Sequence, residues 1–192
     1  MDASMNTTLV KGTYAVSKIM EVVNWMLCVV LIVGAIFVSV NPLFLAGVVD
    51  GFSDTVTIHG FAVGLFNEEG VFLNGILQAT LVIGAIISSL IAMVFRDIYL
   101  IGRLTLGQTI HAKGSTPFQP DNIRMIREIG IFAISVPVVQ FAGSIILHLV
   151  FGTDADISGF VYMGLVFGIA MLCLSQVFAY GTQLQRDADG LI

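Results

Sequence analysis

Four apolar blocks, each close to the length that crosses a lipid bilayer, constrain this chain more than any motif does. The first runs from Val22 to Val40, broken only by Asn24 and Ser39, and the others cover about Phe72 to Phe95, Ile129 to Phe151 and Ile157 to Tyr180. A hydrocarbon core about 30 Å thick is spanned by about 20 helical residues, so each block fits one crossing. Only 11% of the 192 residues are charged and 57% are hydrophobic, against about 25% charged in an ordinary soluble domain. The expected fold is an all-α integral membrane protein, a single four-helix bundle. Its spans are expected at about 19–41, 72–102, 122–151 and 157–183, with an outer loop at 42–71 and an inner loop at 103–121.

The first block is read as a retained anchor. Lys11 and Lys18 precede it, as in a signal peptide, but it is longer than the usual apolar region of about 7–15 residues, and no small-residue cleavage pattern follows. It ends at Asn41-Pro42, where proline stops helix propagation. Pro137 inside the third block removes one backbone hydrogen bond, to the carbonyl of Ala133, and predicts a kink there.

Charge placement predicts the orientation. All eight Lys and Arg fall on one side of the spans: Lys11 and Lys18 before the first, Arg96, Arg103, Lys113, Arg124 and Arg127 between the second and third, and Arg186 after the fourth. Positive charge resists translocation, which predicts that both termini and the inner loop are cytoplasmic. The opposite loops carry Asp50, Asp54, Glu68, Glu69, Asp154 and Asp156 and no basic residue. Within the outer loop, Thr55-Val56-Thr57-Ile58-His59 alternates β-branched residues between Gly51 and Gly60, which predicts a short strand or hairpin capping the bundle. In the inner loop, Lys113 to Pro117 reads as a turn, and Pro120 sits at the first position of the third helix.

Polar and small residues mark an inner face on three helices. At about 100° per residue, Glu21, Asn24, Cys28, Ala35 and Ser39 share one sector of the first helix. Asn74, Gln78, Ser88, Ser89 and Arg96 share another on the second, and Ala133, Pro137, Gln140, Ser144 and His148 one on the third. These stripes are either ordinary interhelical contacts or the lining of a polar seam that admits a small ligand or ion, with Asn74, Gln78, Gln140, Ser144 and His148 as its candidate residues. Gly164 and Gly168 form a small-residue edge on the fourth helix, suited to packing within the bundle or to a homodimer. At the inner boundary, Glu21, Arg96, Arg127 and Glu128 are candidates for ion pairs, Glu21 with Arg96 first among them.

Common catalytic and nucleotide-binding signatures are absent, and the chain is read as a non-enzyme with no cofactor and no metal site. Cys28 and Cys173 both lie in apolar blocks, as packing residues rather than a redox pair. His59 with the outer-loop carboxylates matches no known cation site, and the inner basic residues are those expected of any inward loop, so direct nucleic-acid binding is not expected.

Pro117-Phe118-Gln119-Pro120-Asp121-Asn122-Ile123-Arg124-Met125-Ile126-Arg127, followed at the end of the chain by Phe178-Ala179-Tyr180-Gly181-Thr182-Gln183-Leu184-Gln185-Arg186 and an acidic stretch, resembles the bacterial four-span membrane family called domain of unknown function 2975. The longer, acidic outer loop departs from that pattern. Members of the family are often encoded beside a small helix-turn-helix regulator, so the resemblance implies a membrane sensor or regulatory partner of a cytoplasmic transcription regulator. On that reading Pro117, Phe118, Asn122 and Arg124 are the partner-binding candidates, together with the tail from Gly181. The competing expectation is a small binding or transport bundle that uses the polar seam.

Overall fold

In a computed structural model of the protein, the residues described are 3–41, 55–66, 72–105, 120–157 and 160–190. They form α1 (Ala3–Val40), β1 (Thr55–Ile58), β2 (Phe61–Gly64), α2 (Asn74–Thr105), α3 (Pro120–Phe151), β3 (Ala155–Ile157) and α4 (Phe160–Asp189). Among them, the segments Val10–Val40, Asn74–Leu104, Pro120–Phe151 and Tyr162–Asp187 are long and apolar enough to cross a membrane. The helices outrun the apolar blocks because helix propagation does not need apolar residues. Pro120 opens α3 as expected, at the position where a missing N–H costs nothing.

Large apolar side chains cover the outward faces of these helices. Val40 is 70% exposed, Val166 67% and Leu149 77%. Inward positions are marked differently. On α1, Ser17, Glu21, Asn24, Cys28, Leu31, Ala35 and Val38 are buried at alternating steps of four and three residues, the period that keeps one seam of a helix against a neighbour. Ser39, expected on that face, is exposed, and its hydroxyl donates to the carbonyl of Ala35 at 2.9 Å. Its angle from Ala35 places it at the edge of the stripe, where Val38 is the residue turned inward.

The chain divides into two compact units. One comprises Met1–Val23, Ile91–Ile134 and Leu165–Ile192, and the other Asn24–Leu90 and Ser135–Gly164. In the first, helices meet at glycines. A Cβ on Gly130 would stand 2.9 Å from the carbonyl oxygen of Gly168, and one on Gly168 would stand 2.8 Å from that of Gly130, so α3 and α4 touch backbone to backbone. Tyr14 of α1 occupies the space a side chain at Gly102 of α2 would need, and its ring meets Tyr99 edge-on at 6.0 Å. Lys18 Nζ lies 5.1 Å above the Tyr99 ring and 2.9 Å from Glu21 Oε2.

The second unit holds a small antiparallel sheet of order β1-β2-β3. β1 and β2 form the expected hairpin, with Ile58 opposite Phe61. A third strand departs from the sequence pattern, which predicts a loop and the head of the fourth helix over 155–157: these residues pair with β2, Phe61 opposite Ile157. Gly152, at a φ of 69°, ends α3 and turns the chain back toward the sheet. As the middle strand, β2 is the best buried, with Phe61 and Val63 each 1% exposed.

Candidate functional site

The hairpin turns through His59 and Gly60 alone, with φ values of 51° and 78°. Positive φ at both central residues is what a two-residue turn between right-twisted strands requires. Glycine supplies it freely, and histidine is among the few other residues that adopt it with some frequency. The strands on either side, Thr-Val-Thr-Ile and Phe-Ala-Val-Gly, give this turn a legible sequence pattern.

This hairpin lies along α2. At one end Leu73 N–H donates to the carbonyl of Leu65 at 3.0 Å, and Phe66 bridges Phe72. At the other, the His59 ring is 2.9 Å from Ser88 Oγ. From residue 65 to 59 an extended chain covers about 20 Å, and from 73 to 88 a helix rises about 22 Å. The lengths match, so the turn reaches four helical turns down α2. Gly84 makes the approach feasible: a Cβ there would stand 2.8 Å from Ile58 Cγ2. Ile58 packs beside Leu81 on the cluster of Cys28, Leu31 and Ala85.

Ser88 Oγ donates to the carbonyl of Gly84 at 2.8 Å. Its single proton is thereby used, so the His59 contact runs the other way: the Nε2–H of a neutral imidazole donates to the serine oxygen. Gln140 of α3 completes the anchor by donating from Nε2 to the His59 carbonyl at 3.0 Å. Burial holds the His59 pKa below its usual value, which favours this neutral form.

Of the five seam candidates, Gln140 is buried on the hairpin turn, and Asn74 and Ser144 are half-buried. Gln78 and His148 are exposed, outside any seam, and His148 Nδ1 lies 2.8 Å from Asp154 Oδ1 at the end of α3. The buried hydroxyls of Thr80 and Ser88 donate to carbonyls four residues back on α2 rather than across to another helix. Ser88 of α2 and Gln140 of α3 therefore receive the turn of a hairpin that the sequence pattern predicts as a cap. Neither the depth of insertion nor the His59–Ser88 partnership had a local signal. Two buried acceptors, Asn74 Oδ1 and Gln140 Oε1, make no hydrogen bond among the described residues.

In the other unit, a cavity of about 400 Å³ is lined by Arg96 and Asp97 of α2 and by Asp121, Arg124 and Glu128 of α3. The ion pairs differ from those expected. Glu21 pairs with Lys18, one turn away on its own helix, and not with Arg96; Glu128 pairs with Arg124 at 2.7 Å. Spacing of three or four residues brings these partners together without fixing a second helix. Arg127 is exposed, and Asn122 is buried, which removes it from an open docking face. Pro117 and Phe118 lie outside the described residues, as do Asp50, Asp54, Glu68 and Glu69. Among the described residues, no three His, Cys, Asp or Glu side chains gather as a metal site. Gly168 is buried against Gly130 of the same chain and Gly164 is half-buried, so the face of Gly168 is occupied within the chain.

No family model, curated protein or solved structure matches this chain.

Proposed function

We propose that this chain is a multi-pass bacterial plasma-membrane protein with both termini in the cytoplasm, acting as a non-enzymatic sensor and regulatory partner of a cytoplasmic helix-turn-helix regulator. The apolar coat of the four helices and the one-sided distribution of Lys and Arg support the membrane placement. One observation carries the sensor reading over the transport reading: the turn of the chain's own hairpin occupies part of the polar stripe, with His59 held between Ser88 and Gln140. A protein segment seated by a few hydrogen bonds is a two-state element that an external condition can bias. Arg124 and the tail residues Leu184 and Arg186 are among the exposed groups available to a partner on the inner side.

The test is co-purification of the full-length protein with a cytoplasmic helix-turn-helix regulator of the kind the family resemblance implies. Retention that is lost in a Phe118→Ala, Arg124→Glu variant and altered by His59→Asn supports the reading; no retention of that regulator by the intact protein rejects it. A second reading, binding or transport of a small solute or ion, is favoured by the unsatisfied Asn74 Oδ1 and Gln140 Oε1. It requires a solute that raises the melting temperature of the intact protein and fails to do so after Gln140→Leu.

A further inference from the structure

The cavity between α2 and α3 presents two opposite charges, Arg96 and Asp97, neither of which forms an ion pair at contact distance among the described residues. Arg124 is committed to Glu128. Arg96 is exposed, and the hydrogen bond its guanidinium makes is a long one of 3.8 Å to Met93 Sδ; no carboxylate lies within ion-pair distance among the described residues. Asp97, its neighbour in sequence, is 5% exposed, and its Oδ2 accepts no hydrogen bond among the described residues. A buried carboxylate oxygen without a donor is costly, by about 1–3 kcal/mol or more, and such groups in folded proteins call for a missing partner. Met93, Leu100 and Phe132 add an apolar wall.

An inorganic anion would satisfy Arg96 and leave Asp97 bare in a cavity that also holds Asp121 and Glu128, and a simple cation would satisfy Asp97 and leave Arg96 bare. A ligand that carries both charges satisfies both. We infer that this cavity binds a phosphoethanolamine-class zwitterion, with its primary ammonium on Asp97 and its phosphate on Arg96. A primary ammonium has three N–H donors for the buried oxygen, whereas a trimethylammonium has none. The volume falls within the range of small-ligand pockets, about 300–1,000 Å³. Arg96 and Asp97 stand near the end of a membrane-length segment, Asn74–Leu104, where a lipid headgroup would carry this chemistry, with the apolar wall against its glycerol and acyl carbons. That lipid source rests on the membrane placement proposed above; the shared chemistry of ammonium and phosphate does not.

The experiment uses the full chain in nanodiscs, with bound lipid counted by native mass spectrometry. Phosphatidylethanolamine, phosphatidylcholine and phosphatidylglycerol are offered at equal mole fraction. Phosphatidylethanolamine is expected to bind about tenfold tighter than the other two, a modest difference of the size one lost charged hydrogen bond gives. Asp97→Asn should bring it down to the phosphatidylcholine level. Arg96→Gln, at an exposed position where folding is not at stake, should weaken both of these lipids alike. Competition by free phosphoethanolamine would assign a soluble source to the same chemistry, and a preference that persists against it assigns the lipid. Equal binding of the three lipids, a preference for phosphatidylglycerol, or an unchanged preference in both variants overturns the proposal while the membrane placement stands. A chain that is not retained in the bilayer overturns both.

Discussion

Gln140 donates a hydrogen bond of 3.0 Å to the carbonyl of His59, a residue 81 positions away, and so ties the middle of one long helix to the turn of a short hairpin. With His59 donating in turn to Ser88, this turn is held by two side chains on two helices.

Breaking that hold has a measurable cost. His59→Asn keeps a residue that tolerates positive φ but removes the ring that reaches Ser88. Its expected destabilisation is about 1–2 kcal/mol, the worth of one hydrogen bond in a half-buried setting plus the unpaired serine oxygen. Thermal unfolding in detergent measures it, and Ser88→Ala in the His59→Asn background should add little, because the two residues act as a pair.

The same histidine predicts a pH dependence. Its pKa is lowered by burial in the folded protein, so the unfolded chain binds a proton more readily. Stability from this group is fully present above pH about 6.5, the ordinary histidine value, and is lost as pH falls from there through the folded-state pKa. The groups around the ring and its turn, Ser88, Gln140 and Cys28 beyond Ile58, carry no charge to offset the change. A melting temperature that falls below pH 6.5 in the parent and falls less in His59→Asn is the expected result; identical profiles would refute it.

Gly168→Ala should destabilise by about 1–3 kcal/mol, as overpacking does in a tight interior. Its Cβ would stand 2.5 Å from Ile134 Cγ1 and 2.8 Å from the Gly130 carbonyl, and backbone cannot step aside as a flexible side chain can. Gly12→Ala is the control: nothing lies within 4 Å of its Cβ, and it sits in a helix where alanine is preferred. It should be neutral or stabilising by up to about 1 kcal/mol.

Orientation is tested with single cysteines after Cys28 and Cys173 are replaced by serine. Asp154→Cys, at a side chain 91% exposed, should react with a membrane-impermeant thiol reagent in intact cells. Arg186→Cys, exposed near the end of α4, should react only after the membrane is opened. The reverse pattern would invert the proposed topology.

Several features were legible in the residues alone. Block length and composition implied four long helices, because a run of about 20 apolar residues has few other stable uses. The inner face of α1 was readable where it is polar or small, at Glu21, Asn24, Cys28 and Ala35, since in a helix apolar on every side such residues are the ones that stand out. Leu31 and Val38 share that face but look like their outward neighbours, so hydrophobicity could not mark them. The hairpin was visible in its alternation, and the proline start of α3 in its position. Ion pairs were misassigned where local geometry won: Lys18 reaches Glu21 along one helix, and no pattern along the chain ranks that pair above Glu21 with Arg96.

The sequence by itself determined that four long apolar helices form, the alternation of the hairpin and the small and polar inner positions of α1 from Glu21 to Ala35, because each depends on spacing within one segment. Only the tertiary structure decided that His59 is held between Ser88 and Gln140, that β3 pairs with β2, and that Asp97 is left buried beside a cavity. Those outcomes depend on which distant segments share space, and hydrogen bonds across 29 and 81 residues are chosen by packing, not by any pattern along the chain.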